Sequence, residues 1–168
     1  NIVSINLVGS FGRNEASWIE KDSKTKPLND LDYLLILSKK DEQIWMQFDV
    51  IRQKLFEQTG LDYIDFSIYI FDQLATLPYI MNNFDLKYGS KNIYGKDIIS
   101  QIPDYNYKEF PIDEGLRLIV NRCSGVFTSI INNNIIEFKN EEHQKIYMVY
   151  QIIKLLISFG DMYVILKN

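Results

Sequence analysis

The sequence predicts an α+β fold, in which a mixed β-sheet flanked by helices is followed by an α-helical hairpin or bundle. In the first 110 residues, short apolar runs with strand character alternate with helical patterns. A strand, a helix and a strand follow one another over residues 31–71, an order typical of a crossover connection. After Pro111 the chain changes to long apolar stripes at helical spacing. We therefore expect two domains, residues 1–110 and residues 111–168.

Composition and charge limit the function classes. The chain has 168 residues, of which 46% are hydrophobic and 24% charged, enough to bury a substantial core. The net charge of −4 excludes a global basic field, so nucleic acid is a possible but not a favoured partner. A single cysteine, Cys123, and a single histidine, His143, exclude an internal disulfide and a multi-histidine or multi-cysteine metal site.

The sequence also gives an expectation about location. No apolar run reaches the roughly 18 residues that a spanning helix needs, and no signal peptide is visible. We therefore predict a cytoplasmic protein without a membrane partner. The chain begins with Asn1 rather than methionine and ends in an apolar stretch, so we expect further segments at both ends and a truncated helical domain.

The first third of the chain is predicted from alternation and turn residues. Apolar residues alternate with polar ones over residues 2–8, which predicts a first strand. The glycines that follow predict a turn, and a short helix is expected to start near Ser10 or Arg13 and to run to about Ile19. Its amino end would present free N–H groups. The polar residues 20–29 predict a loop.

The middle of the chain predicts the rest of the sheet. Residues 31–37 are so apolar that we expect a strand buried on both faces. Apolar residues at helical spacing predict a helix over residues 41–58, and a third strand is expected over residues 61–71. A short helix over residues 72–77 and a small hairpin or edge strand over residues 84–94 follow.

The last third is predicted to be helical. Asp113 is suited to cap a long helix with an apolar stripe, which three consecutive asparagines at residues 132–134 interrupt. A second long helix is expected from about Glu141 to Gly160. A third helix would begin after it, at residues 161–166. The two long helices are expected to pack as a hairpin.

Two carboxylates lie where the second strand begins. Asp30 and Asp32 are spaced i, i+2, and side chains at that spacing project from the same face of a strand. Like charges at the edge of a core are costly unless a cation neutralises them. The pattern therefore suggests a metal site. The alternatives are a turn residue for Asp30 and an edge charge for Asp32.

These residues carry a resemblance to a known family. Val8-Gly9-Ser10 followed by Asp30-Leu31-Asp32-Tyr33 resembles the nucleotidyltransferase superfamily with a polymerase-beta-like palm. In that family an apolar–glycine–glycine or serine turn precedes an acid–apolar–acid–apolar strand, and a third carboxylate lies on a later strand. The connection from Ser10 to Asp30 is longer than in compact members. The resemblance covers roughly the first 75 residues well and the rest loosely.

The resemblance implies a Mg²⁺-dependent transfer of a nucleoside monophosphate from an NTP to an acceptor hydroxyl, with release of pyrophosphate. Asp30 and Asp32 would hold magnesium. Asp65 and Asp62 compete as the third carboxylate. We favour Asp65, because it lies inside a strand-like run, whereas Asp62 is nearer the Gly60 turn. By the same resemblance Asp65 would be both a catalytic metal ligand and a candidate general base.

The phosphate contacts are further expectations. Gly9 and Ser10 would let the backbone approach the phosphates closely, with the hydroxyl and amides as donors. The alternative is an ordinary strand-to-helix turn. Arg13 could bind a phosphate through its two-pronged guanidinium, or it could be a solvated residue paired with Glu15 or Glu20.

The helical half offers four candidates, because the resemblance implies that basic and amide residues there help to bind the nucleotide or the acceptor: Arg117, Asn121, Arg122 and Lys154. The alternative is a solvated polar face. Lys154 is favoured for nucleotide binding, because it interrupts an apolar helix between Ile153 and Leu155. The acceptor could be a small molecule, a protein side chain as in toxin–antitoxin pairs, or an RNA end. Two other function classes remain open. One is a non-catalytic nucleotide-binding or regulatory module. The other is an interaction domain of the toxin–antitoxin type, which would not bind NTP and would expose an apolar helix face.

Overall fold

A computed structural model describes residues 1–21, 24–27, 30–59, 64–131 and 141–167. It divides the chain into two compact units, Asn1–Asp104 and Tyr105–Asn168. Among the described residues, the strands all lie in the first unit and the two long helices lie in the second. A mixed sheet with helices, including a helical carboxyl-terminal part, was the coarse expectation from the sequence, and it is confirmed. The units divide between Asp104 and Tyr105, whereas the sequence placed the boundary between residues 110 and 111.

The elements are as follows in chain order. The strands are β1 (Ile2–Val8), β2 (Trp18–Lys21), β3 (Lys24–Pro27), β4 (Leu31–Leu37), β5 (Ile64–Ile70) and β6 (Lys91–Gly95). The α-helices are α1 (Gly9–Gly12), α2 (Ile44–Thr59), α3 (Met81–Gly89), α4 (Ile112–Ile130) and α5 (Glu141–Lys167). Three short 3-10 helices span Phe71–Thr76, Ile99–Gln101 and Tyr107–Glu109.

Four strands form the main sheet in the order β5-β4-β1-β6. β1 is antiparallel to both β4 and β6, while β4 and β5 are parallel and are joined through α2. The predicted strand–helix–strand crossover is therefore present. Because parallel strands with a crossover begin at the same edge of a sheet, the starts of β4 and β5 lie side by side.

Strand β4 is buried on both faces, as its uniform apolar sequence predicts. On one face Leu35 and Leu37 pack in a core with Ile44 and Phe48 of α2. On the other face Leu34 and Ile36 are 0% exposed. Asp32 continues that second face by alternation, so the carboxylate lies at the rim of a fully buried surface.

The connection between β1 and β4 differs from the prediction. The helix after β1 ends at Gly12 rather than near Ile19, and β2 and β3 form an antiparallel hairpin where a loop was expected. The reason for the early end lies at Asn14, which has a φ of 62°. Asparagine tolerates this left-handed conformation, and a residue in it cannot continue a right-handed helix.

Over residues 84–94, the prediction of a hairpin or edge strand is confirmed only for the end of the segment, where β6 is an edge strand of the main sheet. The first part of the segment lies in helix α3, and only Lys91–Gly95 is a strand. Asn83, Leu86 and Gly89 are the buried residues of α3 and recur every three residues, a helical period. Asn83 also anchors the first turn, because its side chain accepts a 2.9 Å hydrogen bond from the Tyr69 hydroxyl.

In the second unit α5 is a single helix, so the predicted break at Gly160 does not occur. A glycine inside a helix costs only about 1 kcal/mol, which neighbouring apolar residues can offset. Small residues lie where α4 packs against α5, an interface that we call the seam. A Cβ on Gly125 would lie 2.5 Å from Gln151 Oε1, and Gln144 Nε2 donates a 3.2 Å hydrogen bond to the Ser129 carbonyl.

The apolar stripe predicted for α4 mostly faces away from that seam. Five of its seven predicted members are at least half exposed: Leu116, Val120, Phe127, Ile130 and Ile131. The other two, Ile119 and Cys123, are half-buried. Small residues at the seam explain this arrangement, since they let the two helices pack closely without the larger side chains.

Within the described residues, one helical stretch, Gln144–Lys167, is long and apolar enough to cross a membrane, and 17% of its most apolar window is buried. This stretch was not identified from the sequence, because Lys154 and Asp161 interrupt its apolar run. A helix of a soluble protein can have the same length and composition. The absence of a membrane partner therefore stays a prediction.

Candidate functional site

The three carboxylates favoured from the sequence lie together. Asp32 and Asp65 are direct neighbours in the parallel pairing of β4 with β5, so their side chains project from the same face. Asp30 precedes β4 and shares that face with Asp32. Asp30, Asp32 and Asp65 each contribute one carboxylate oxygen to a group of three oxygens that lie within 4.8 Å of one another. This cluster could hold a metal ion. The alternative third carboxylate, Asp62, lies outside the described residues.

The cluster opens to solvent on one side. Asp30 and Asp32 are half-buried, whereas Asp65 is exposed. An ion bound there would contact protein oxygens on one side and would remain accessible on the other. This is the form of site that Mg²⁺ prefers, because the ion keeps several waters and takes only a few carboxylate ligands.

The donor set and the spacing fit a small divalent cation. All three donors are hard carboxylate oxygens, the ligand type that suits Mg²⁺ and Mn²⁺ rather than zinc or copper. In an octahedral Mg²⁺ site the ligand oxygens are about 2.9 Å apart when adjacent and about 4.1 Å when opposite. A cluster within 4.8 Å therefore needs only a small movement of side chains to reach such a geometry.

The backbone approaches this cluster at Gly9. Val8 pairs with Asp32 in the antiparallel ladder, which places the next residue beside the carboxylate. Gly9 has a φ of 62°, and a Cβ added there would overlap Asp32 Oδ2 and lie 3.2 Å from Asp32 Cγ. Only glycine can adopt this conformation at this distance without strain. The predicted turn residue is thus in close contact with one of the candidate metal ligands, Asp32.

The turn after Gly9 is compact and internally hydrogen-bonded. The amide of Arg13 donates to the Gly9 carbonyl at 3.1 Å, and the amide of Glu15 donates to the Ser10 carbonyl at 2.8 Å. Ser10 is half-buried and adjoins Gly9. We refer to residues 9–12 as the phosphate turn, after the role predicted for Gly9 and Ser10.

Arg13 makes two ion pairs. Its Nε donates to Glu15 Oε2 at 2.8 Å, which is one of the two pairings considered from the sequence, and its Nη1 donates to Asp85 Oδ2 at 2.9 Å. Burial alone would lower the pKa of the guanidinium, but the hydrogen bond to Glu15 and the charges of Asp85 and Asp32 raise it above its ordinary value. Arg13 is therefore a fixed cation whose field reaches the carboxylate cluster.

Lys154 belongs to the second unit. It lies on α5, is half-buried, and its ammonium group is 4.2 Å from the centroid of the Tyr150 ring. Such a cation–π contact stabilises a partly desolvated lysine. The predicted role of Lys154 in nucleotide binding stays a prediction.

Sequence reasoning missed the residues that support the phosphate turn from α3. Asp85 pairs with Arg13, and Gly89 lies against both the Arg13 side chain and Gly12. An acid and a glycine in a segment taken for a hairpin have no evident connection with residues 9–13. A helical period over 83, 86 and 89 was the signal that could have indicated it.

Comparison with known proteins gives no relative for this chain: no family model, curated protein or solved structure matches it. We therefore infer the function from the geometry of the three carboxylates and of the turn beside them.

Proposed function

We propose that this chain is a Mg²⁺-dependent nucleotidyltransferase with a polymerase-beta-like palm, which transfers a nucleoside monophosphate from an NTP to an acceptor hydroxyl. The observation that supports this most is the contact between two independent motifs. The glycine of the Val8-Gly9-Ser10 turn lies against Asp32, and Asp32 lies beside Asp30 and Asp65. A turn whose backbone can approach a ligand closely therefore lies beside three carboxylates, and this arrangement suits the binding of a metal–triphosphate.

In this proposal Asp30, Asp32 and Asp65 hold the magnesium ion. When bound, magnesium would neutralise charge on the triphosphate and on the leaving pyrophosphate. The backbone at Gly9 and Ser10 offers amide and hydroxyl donors to the β- and γ-phosphates. Because Gly9 has no side chain, those donors can approach the phosphates closely.

The reaction breaks a phosphoanhydride bond of the NTP and forms a phosphoester bond to the acceptor. The acceptor oxygen forms a bond to the α-phosphorus, the bond from the α-phosphorus to the bridging oxygen breaks, and pyrophosphate leaves. The hydroxyl proton is lost to a base. Asp65 is our candidate for that base, since it is the exposed member of the cluster and an acceptor could reach it from solvent. The acceptor is a small molecule, a protein side chain or an RNA end, and the net charge of −4 disfavours RNA.

Labelled NTP tests the reaction type. With Mg²⁺ and no added acceptor, we expect slow transfer to water, in which an α-³²P label appears in NMP and a γ-³²P label appears in pyrophosphate. Both products should disappear in EDTA and in Asp65→Asn. Appearance of the γ label as inorganic phosphate would identify a phosphatase or kinase activity. That result would contradict nucleotidyl transfer.

A second candidate function has one observation in its favour. The apolar stripe of α4 is exposed, as expected for an interaction domain that contacts a partner through its helices. That function predicts no binding of NTP with or without Mg²⁺, so the nucleotide measurements separate the two. The contact between Gly9 and Asp32 favours the nucleotidyltransferase, because an interaction domain has no need of it.

A further inference from the structure

The far end of the phosphate turn is in close contact with α3. Gly12 is buried, and a Cβ there would overlap the Gly89 carbonyl and lie 2.8 Å from the Leu7 carbonyl. A Cβ on Gly89 would in turn lie 2.5 Å from Arg13 Cγ and 3.0 Å from Arg13 Cδ. Glycine at both positions allows the turn and the Arg13 side chain to pass directly over the end of α3.

An ion pair completes this contact. Arg13 Nη1 lies 2.9 Å from Asp85 Oδ2, and Asp85 precedes Gly89 by four residues on the same face of α3. The Arg13 side chain therefore crosses the helix at Gly89 and ends at Asp85. A hydrogen bond nearby also holds this segment, because Lys91 Nζ donates to Asn14 Oδ1. Residues 12–14 are thus held by groups of α3 and β6.

We propose that Arg13 and Asp85 are positioning residues that hold the phosphate turn at the distance from the carboxylates that a metal-bound triphosphate chain requires. This inference rests on the proposed function. It changes the expected role of Arg13, because the guanidinium is already bound to two carboxylates rather than directed as a free group at a phosphate. The turn's carboxyl end is fixed by α3, and its amino end, at Gly9, lies against Asp32.

The two possible roles of Arg13 predict opposite results for Asp85→Asn. If Arg13 binds the phosphates directly, loss of Asp85 frees the guanidinium from a competitor, and triphosphate binding stays equal or becomes tighter. If Arg13 acts through Asp85, the turn loses its tie to α3 and binding becomes weaker. The Arg13 and Asp85 side chains are 32% and 53% exposed, so breaking their pair should leave the fold intact.

The experiment uses tripolyphosphate with Mg²⁺, which probes the turn and the metal site without depending on the base. Calorimetric titration of the full chain compares wild type, Asp85→Asn, Arg13→Gln and the double variant. We expect each single change to weaken binding by about tenfold, since small misplacements of binding groups have effects of at least that size. The double variant should be no weaker than either single one, because the pair acts as a unit.

Two controls separate positioning from general damage. Glu15→Gln removes the other carboxylate that binds the Arg13 guanidinium. Because Glu15 lies in the same segment as Arg13, it does not connect that segment to α3. We therefore expect Glu15→Gln to leave tripolyphosphate affinity unchanged. Binding of Mn²⁺ alone, followed by electron paramagnetic resonance, should be unchanged in Asp85→Asn, because the three carboxylates remain. A general structural defect in Asp85→Asn would also weaken its Mn²⁺ binding.

The outcomes distinguish this inference from the proposed function. If wild type binds Mg²⁺–tripolyphosphate and Asp85→Asn binds it equally well or better, the positioning role is wrong and the proposed function stands. Additive losses in the double variant would also overturn the positioning role. If wild type binds no tripolyphosphate with any divalent ion, the proposed function and the inference both fail.

Discussion

Asp32→Asn is expected to remove Mg²⁺-dependent NTP binding almost completely. Asp32 is the centre of the cluster, since it pairs with Asp65 across the sheet, lies two residues from Asp30 and contacts Gly9. Substitution of a residue that only supports a metal ligand lowers metal affinity by about 10- to 100-fold. Loss of a ligand itself should therefore weaken Mg²⁺-dependent NTP binding by at least about a hundredfold. Titration of NTP in the presence of Mg²⁺ measures this directly.

The same variant should fold normally. Without metal, replacing Asp32 by an amide relieves its like-charge repulsion with Asp30 and Asp65, but it also removes the attraction between Asp32 and the Arg13 guanidinium. Because these two effects oppose each other, we expect the metal-free variant to unfold near the wild-type temperature. Asp97→Asn is a matched control, because Asp97 is an exposed aspartate of the same unit outside the cluster. Equal NTP affinity in Asp32→Asn and Asp97→Asn would contradict the assignment of Asp32.

Gly9→Ala should impair both stability and binding. The φ of 62° is unfavourable for alanine, and the added Cβ would overlap Asp32 Oδ2. Strain of this kind costs about 1–3 kcal/mol, so denaturant unfolding should show a loss of that size. Because the methyl group must displace either the turn or the Asp32 carboxylate, we also expect NTP affinity in Mg²⁺ to fall by about tenfold or more.

The chain provides a matched control for this substitution. Gly160 lies within α5, and a Cβ added there meets nothing within 4 Å. Gly160→Ala should therefore stabilise the protein by about 0.5–1 kcal/mol, the usual gain inside a helix, and leave NTP binding unchanged. If Gly9→Ala were as stable as wild type and bound NTP equally well, the close approach of the turn to the carboxylates would have no functional role.

The sequence predicted the part of the site that depends on local pattern. Alternation along β4 was sufficient to place Asp30 and Asp32 on one face, and a strand–helix–strand order was sufficient to expect a crossover. Asp65 could be preferred over Asp62 because an acid inside an apolar strand is unusual unless it has a function, whereas an acid near a turn is common. The structure places Asp65 opposite Asp32, a pairing that depends on the register between strands and that neither strand encodes alone.

The parts that the sequence did not predict depend on contacts between distant segments. Asp85 and Gly89 support the phosphate turn from more than 70 residues away. Their role becomes visible only when α3 is placed beside residues 12–14. In the helical unit, the apolar stripe of α4 suggested a packing face, but the seam uses Gly125, Ser129 and their long partners on α5 instead. Periodicity identifies an apolar face without identifying its partner.

We propose that Asp30, Asp32 and Asp65, with the turn at Gly9 and Ser10, form a metal–triphosphate site. Thermal unfolding of wild type and of the Asp30→Asn/Asp32→Asn variant, with each of the four NTPs and with and without Mg²⁺, tests this site. A ligand that binds only the folded state at 100 times its Kd stabilises it by about 2.7 kcal/mol. We predict that NTP and Mg²⁺ together raise the unfolding temperature of wild type more than either alone, and that the double variant loses this shift. If no NTP changes the unfolding temperature of wild type under any metal condition, the proposal is wrong.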